Sequence, residues 1–208
     1  MGLGLNAVSY GRILGANDRM NFAVAGLNSR GQALSSAALA VDNSTITAIC
    51  DVDQRVLSEQ SAKIGSTTGK KVKTYEDIRV LLESKDVDAL AIATPDHWHA
   101  PMSIMAVQAG KDVYVEKPCC YDPGEGELLV SVQEKYGQVV QMGNQQRSGQ
   151  VSIQAIKDIR DGVIGDVYLG KAWYSTNRGS IGHGEAITVP DWLNWDLWQG
   201  PAPRETYK

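Results

Sequence analysis

Lys117 lies between Glu116 and Pro118, directly after the apolar run Asp112–Val115. A lysine at the carboxyl edge of a strand can hydrogen-bond a hydroxyl that is losing hydride, and partial desolvation suits its amine to proton transfer. Seen alone, a lysine on a turn is more simply a solvated one, so this assignment depends on its surroundings. The Lys117-Pro118 bond at a tight turn is a candidate cis peptide.

A second constellation opens the chain's first apolar run, Phe22–Gly26. It continues as Gly26-Leu27-Asn28-Ser29-Arg30-Gly31, a G-x-G-x-x-G pattern with Asn28 in its middle position. In that pattern the first glycine makes the tight turn and the last lets the following helix approach the strand. The helix N-terminus then offers N–H groups and a positive dipole end to a pyrophosphate. Asn28 tolerates positive φ better than most residues, so the departure from the pattern is mild. A plain turn explains the same residues, and Asp51 tips the balance. Asp51 follows Gly31 by 20 residues, at the end of a second run, Thr45–Cys50. A carboxylate there accepts both ribose hydroxyls and repels a 2′-phosphate, which favours NAD over NADP. Two alternatives stay open: Asp51 as a helix N-cap, and Arg55 as a counter-charge that weakens the preference.

The third constellation is Thr94-Pro95-Asp96-His97-Trp98-His99, after the run Asp88–Ala93. Two of the chain's three histidines lie here at i, i+2, which is not the i, i+4 spacing of a helical metal pair. No metal site is expected. His97 and His99 either orient a cofactor or cap the next helix.

These groups need a scaffold that brings the ends of several strands together. From Asn21 to Met142 short apolar runs alternate with helical patterns at Gln32–Val41, Gln54–Ile64, Glu76–Ser84, His99–Gly110 and Pro123–Tyr136. Val72–Tyr75 and Gln138–Met142 supply further strands. Strands apolar throughout and separated by helices predict a doubly wound parallel sheet, which binds ligands outside the carboxyl ends of its strands. All three constellations fall at such ends. Past Asn144 the pattern changes to a helix over Val151–Asp161, one long strand over Val167–Thr176, and a tail rich in Gly, Pro and Trp. The expected organisation is an arm or export-leader remnant over 1–20, a dinucleotide-binding domain over 21–143, and the incomplete start of a second domain over 144–208.

The bulk numbers narrow the function classes. The 208 residues are 43% hydrophobic with a net charge of −4, which gives no electrostatic reason to expect nucleic acid. No stretch reaches the length of a membrane span. Three cysteines, Cys50, Cys119 and Cys120, with no CxxC, indicate structural thiols rather than a disulfide framework or zinc site. The opening MGLGLNAVSYGRILGAN reads either as the apolar end of an export leader whose charged start is missing, or as an N-terminal arm. Export to the periplasm and a cytoplasmic location therefore both stand.

Taken in order, AGLNSRG, CDVD, ATPDHWHA, AGKDVYVEKP, QMGNQQRS and WDLWQGPAP strongly resemble the glucose-fructose oxidoreductase / inositol dehydrogenase (Gfo/Idh/MocA) family. The resemblance covers nearly everything from Asn21 onward. It implies an α/β NAD-binding Rossmann domain followed by an α/β domain on an open, mostly antiparallel sheet, which carries the substrate pocket and commonly the oligomer contact. It places Gly26, Asn28, Ser29, Arg30 and Gly31 around the pyrophosphate and Asp51 at the adenosine ribose. Thr94, Pro95 and His97 fall near the nicotinamide, and Gln145 near the domain junction, touching the cofactor. Glu116 and Lys117 border nicotinamide and substrate, with Lys117 the catalytic lysine and Pro118 cis. The family's second acid–base pair, an Asp and a His on a helix, is not matched by His183 in GSIGHGEA.

The reading that follows is hydride transfer between NAD and a secondary alcohol of a sugar, polyol or cyclitol, in a full-length homo-oligomer. A glycosidase that uses bound NAD without net redox change is the first alternative. A catalytically incomplete NAD-binding fragment, with Trp192, Trp195 and Trp198 as an apolar patch, is the second.

Overall fold

The structure is a computed structural model, and it describes residues 19–175, 179–180 and 182–208. The leader reading falls on residues outside these. The described chain forms two compact units. The first comprises the residues up to Met142 together with Val189–Glu205, and the second Gly143–Thr188 and Thr206–Lys208.

The first unit is built on six strands: β1 (Met20–Ala25), β2 (Ser44–Cys50), β3 (Lys73–Tyr75), β4 (Ala89–Ile92), β5 (Asp112–Glu116) and β6 (Val140–Gly143). Their order across the sheet is β3-β2-β1-β4-β5-β6. The pairings from β3 through β5 are all parallel. This is the order of the dinucleotide-binding doubly wound fold, whose crevice lies where the chain reverses its winding between β1 and β4.

Alternation along each strand assigns side chains to two faces. Ala23, Ala25, Leu90 and Ile92 face one core with Leu81, Met102 and Val107. Val24 and Ala91 face the other with Leu34, Leu57 and Ile64. Both cores are dry: Ala23, Val24, Ala25, Leu90 and Ile92 have no exposed surface. Burying Leu90 or Ile92 contributes about 1.5–3 kcal/mol each relative to exposure. Five helices cover the faces: α1 (Arg30–Leu39), α2 (Gln54–Thr68), α3 (Ile78–Leu82), α4 (His99–Gln108) and α5 (Pro123–Tyr136). Three start at side-chain caps. Asp53 accepts from Arg55 N and Val56 N, Asp77 from Arg79 N, and Asp122 from Glu125 N. Each cap satisfies donors that the first turn leaves without intrahelical acceptors.

The return segment Val189–Glu205 belongs to this first unit, although the sequence reading set 144–208 apart from it. It carries α7 (Trp195–Gln199), whose N-cap Asn194 accepts from Leu197 N. The second unit contains α6 (Gln150–Arg160), close to the predicted Val151–Asp161. The strand expected over Val167–Thr176 does not form over its described part, and beyond Gly143 the second unit has no strand among the described residues. Side-chain composition does not make a strand without a neighbour to complete its hydrogen-bond ladder. Here Tyr168 is 95% and Trp173 79% exposed. No described helix is long and apolar enough to cross a membrane.

Candidate cofactor and active site

The loop after β1 is built on two close approaches. Gly26 has φ 78°, and a Cβ on it would lie 2.5 Å from Ala93 O. Its N–H donates to Cys50 O at 3.0 Å. A Cβ on Gly31 would meet Gly26 O at 1.8 Å, so α1 packs on the turn only because position 31 is bare. Positive φ falls on Ser29, at 42°, rather than on Asn28. Asn28 is engaged locally, its Oδ1 accepting from Ser29 N and its carbonyl from Gly31 N. These bonds hold the turn and pass the unusual backbone angle one residue on. Ser29 precedes α1 without capping it, and no acidic residue lies in the first turn. The N-terminus of α1 is thus open to an anion.

Asp51, at the end of β2, is not a helix cap; Asp53 has that role. Asp51 Oδ2 accepts from Leu27 N at 2.7 Å and Oδ1 from Asp53 N at 2.9 Å. The carboxylate therefore ties the glycine loop to the β2–α2 turn, and each oxygen keeps a lone pair for a hydroxyl. Burial pushes its pKa up, against the opposing pull of the backbone N–H groups.

At the end of β4, Thr94 Oγ1 is buried and has no hydrogen-bond partner. Pro95 leads into a 3-10 turn over Asp96–Trp98. His97 Nε2 lies 2.9 Å from Trp198 O, and Trp98 Nε1 donates to Leu197 O at 2.9 Å. His97 therefore faces the return segment. His99 is buried and is no helix cap: its Nδ1 meets Pro118 O at 2.5 Å and its Nε2 meets Thr94 O at 2.8 Å. The ring joins the loops after β4 and β5.

At the end of β5, Glu116 points inward, 7% exposed, and pairs with Arg30 Nε at 2.7 Å. Arg30 was expected at a pyrophosphate; in the structure it bridges α1 to β5, its pKa raised by the hydrogen bond to Glu116. Alternation turns Lys117 outward, and it is exposed. The Lys117-Pro118 peptide is cis, as its sequence position predicts. Gln145 opens a 3-10 turn, Gln145–Ser148, in the second unit. Among the described residues no group of three or more His, Cys, Asp or Glu side chains is placed to hold a metal ion.

Two features escaped the sequence reading. One is His99, legible as a candidate but not as a buried link between loops. The other is the return segment, which runs back along the rim. Trp192 O accepts from Gln54 N, Leu193 bridges to Asp53, and Asn194 N donates to Val52 O. Arg55 lies against the Trp192 ring, 3.2 Å from its centroid. Trp195 and Trp198 stack at 4.6 Å. The tryptophan spacing hinted at packing, but nothing in it named the partners.

An uncapped helix N-terminus, a carboxylate at the end of β2 and an orphaned buried hydroxyl at the end of β4 fit a dinucleotide laid across the switch point. Fold and site thus define a Rossmann dinucleotide-binding domain. Residues 20–144 match the Gfo/Idh/MocA family, described as an oxidoreductase family with an NAD-binding Rossmann fold, and the chain belongs to that family. A glycosyl hydrolase family 109 protein of Saccharopolyspora erythraea is 30% identical over 195 residues, covering 88% of this chain and 42% of the relative. The chain thus spans less than half of that relative's length. The myo-inositol 2-dehydrogenase of Lactobacillus plantarum shares the fold, with TM-score 0.66 and 24% identity over 72% of this chain and 43% of that one. A variant of a 3-ketoreductase from Actinomadura kijaniata, solved with TDP-benzene and NADP, has TM-score 0.65 and 25% identity. The match covers 72% of this chain and 44% of that one.

Proposed function

We infer that the protein containing this chain transfers hydride between NAD and a secondary alcohol of a sugar, polyol or cyclitol. The observation that carries this reading is Lys117, exposed just past the carboxyl end of β5 and followed by Pro118, whose carbonyl is bonded to buried His99. When bound, the nicotinamide supplies the acceptor for hydride from the carbinol carbon. Lys117 donates a hydrogen bond to the carbinol oxygen and handles its proton. Thr94 and His97 flank the nicotinamide side, Asp51 accepts from the adenosine ribose, and the open N-terminus of α1 faces the pyrophosphate. Arg30 and Glu116 act through each other, fixing the glycine loop to the strand that bears Lys117. The substrate class draws support from a 3-ketoreductase and an inositol dehydrogenase among the similar structures.

A second reading rests on the curated relative named as a glycosyl hydrolase. In it the same crevice oxidises and re-reduces a glycoside with no net redox change. Sugars, cyclitols and aryl glycosides offered to the full-length protein separate the two by whether NADH accumulates or glycoside is cleaved without it. Lys117→Met is expected to keep NAD binding and lower turnover by about 10²–10⁴-fold in either case. Wild-type turnover in the variant would remove Lys117 from the mechanism.

A further inference from the structure

The rim of the crevice at β2 carries two carboxylates, Asp51 and Asp53, and one cation, Arg55. Arg55 is the basic residue that sequence alone offers to a 2′-phosphate. In the structure it is engaged on two sides. Asp53 Oδ1 accepts from its Nε at 3.1 Å and Asp53 Oδ2 from its Nη2 at 2.8 Å. Trp192 covers a face of the guanidinium, 3.2 Å from the ring centroid to Cζ. Trp192 is itself fixed, because its own carbonyl accepts from Gln54 N and the next two residues pair with Asp53 and Val52. A planar guanidinium bound along one edge by a carboxylate and on one face by an indole has spent its best geometry for a bidentate phosphate contact.

We propose that Asp53 and Trp192 set the choice between NAD and NADP by holding Arg55 out of service as a phosphate receptor. This deepens the reading that a dinucleotide occupies the crevice and rests on it. The clamp neutralises Arg55 in place, so the Asp51–Asp53–Arg55 group keeps a net negative charge toward the ribose 2′ position. A 2′-phosphate meets repulsion there, with the Arg55 charge already paired to Asp53. Asp53 does two jobs with one carboxylate, because it also caps α2 through Arg55 N and Val56 N. The specificity device is thereby fixed to the start of a helix. Its other jaw comes from a segment far along the chain.

The test is titration calorimetry of NAD⁺ and of NADP⁺, with wild type, Asp53→Ser, the double variant Asp53→Ser/Arg55→Ala, and Trp192→Leu. Serine retains the helix cap but is too short to reach the guanidinium. Wild type is expected to favour NAD⁺. Asp53→Ser should lower the NAD⁺/NADP⁺ affinity ratio by about tenfold, the effect of one charge-assisted hydrogen bond to phosphate. Trp192→Leu should lower it by less, and the double variant should restore the wild-type ratio. NAD⁺ binding with an unchanged ratio in Asp53→Ser overturns the clamp. So does a double variant that keeps the gain, since Arg55 would then not be its source. If Asp53→Ser does not fold, an unchanged ratio in Trp192→Leu overturns the clamp. Folded wild type that binds neither dinucleotide overturns the cofactor reading itself, a different result from an unchanged ratio.

Discussion

Replacing Gly26 by alanine separates two costs that a glycine turn usually confounds. The first is conformational: at φ 78° an L-residue loses about 1–2 kcal/mol. The second is steric. The new Cβ would lie 2.5 Å from Ala93 O, 2.6 Å from Ala93 C and 2.7 Å from Thr94 N. All three are backbone atoms, and Ala93 N is bonded to Ala25 O, so no side-chain rotation relieves the contact. Forcing a methyl into such a place costs about 1–3 kcal/mol. The expected loss is the sum, about 2–5 kcal/mol. Gly69 supplies the control. It has φ 67° at the end of α2, and a Cβ there meets nothing within 4 Å. Gly69→Ala should lose only the conformational part, about 1–2 kcal/mol. Entropy removed from the unfolded chain is common to both substitutions and cancels in the comparison. Urea unfolding followed by circular dichroism, with m unchanged, measures each loss. Equal losses within about 0.5 kcal/mol would refute the idea that the glycine loop is set by contact with the end of β4.

The cysteines should divide by burial. Burial, with the nearby Asp51 charge, pushes the Cys50 thiol up, so a thiol reagent at neutral pH should modify Cys119 and Cys120 in the native protein and Cys50 only in denaturant. Equal native labelling of all three would contradict the buried placement. The Arg79 guanidinium holds the Asp77 carboxyl below its ordinary value of 3.8. Its stabilisation is therefore fully present above that value and is lost as pH falls through the depressed one. Asp77→Asn keeps the cap and loses the exposed ion pair, so wild type should be more stable at neutral pH by about 0.2–1 kcal/mol. The gap should close in strong acid, and a gap that widened toward low pH would contradict the assignment.

Strand and helix existence was legible wherever a local pattern matched a buried element. The all-apolar β4 and the helical patterns of α2 and α5 each announce themselves within a few residues. Asp51 was legible because its distance from the glycine loop reflects one β-α-β repeat. The partners of charged groups were not. Arg30 pairs with a glutamate 86 residues away. His99 bonds to Pro118, 19 residues on. Such contacts depend on which strand ends lie side by side, a property of the sheet order rather than of any local window. Val167–Thr176 failed for the converse reason. Its side chains suit a strand, and the described residues offer no neighbour to pair with.

The interrupted course of the first unit has a consequence for how it is made. The polypeptide leaves it at Met142 and rejoins it at Val189, with another unit interposed. Bonds inside the glycine loop, and the Asp53–Arg55 pair two residues apart, can form as soon as those residues leave the ribosome. The bonds from His97 and Trp98 to the return segment join groups 99–101 residues apart and close late, against a larger loop entropy. Trp192 reaches Arg55 only with that closure. A nascent chain thus holds its sheet with an unfinished rim until the return segment has emerged, and the Arg55 clamp forms after the sheet that carries it.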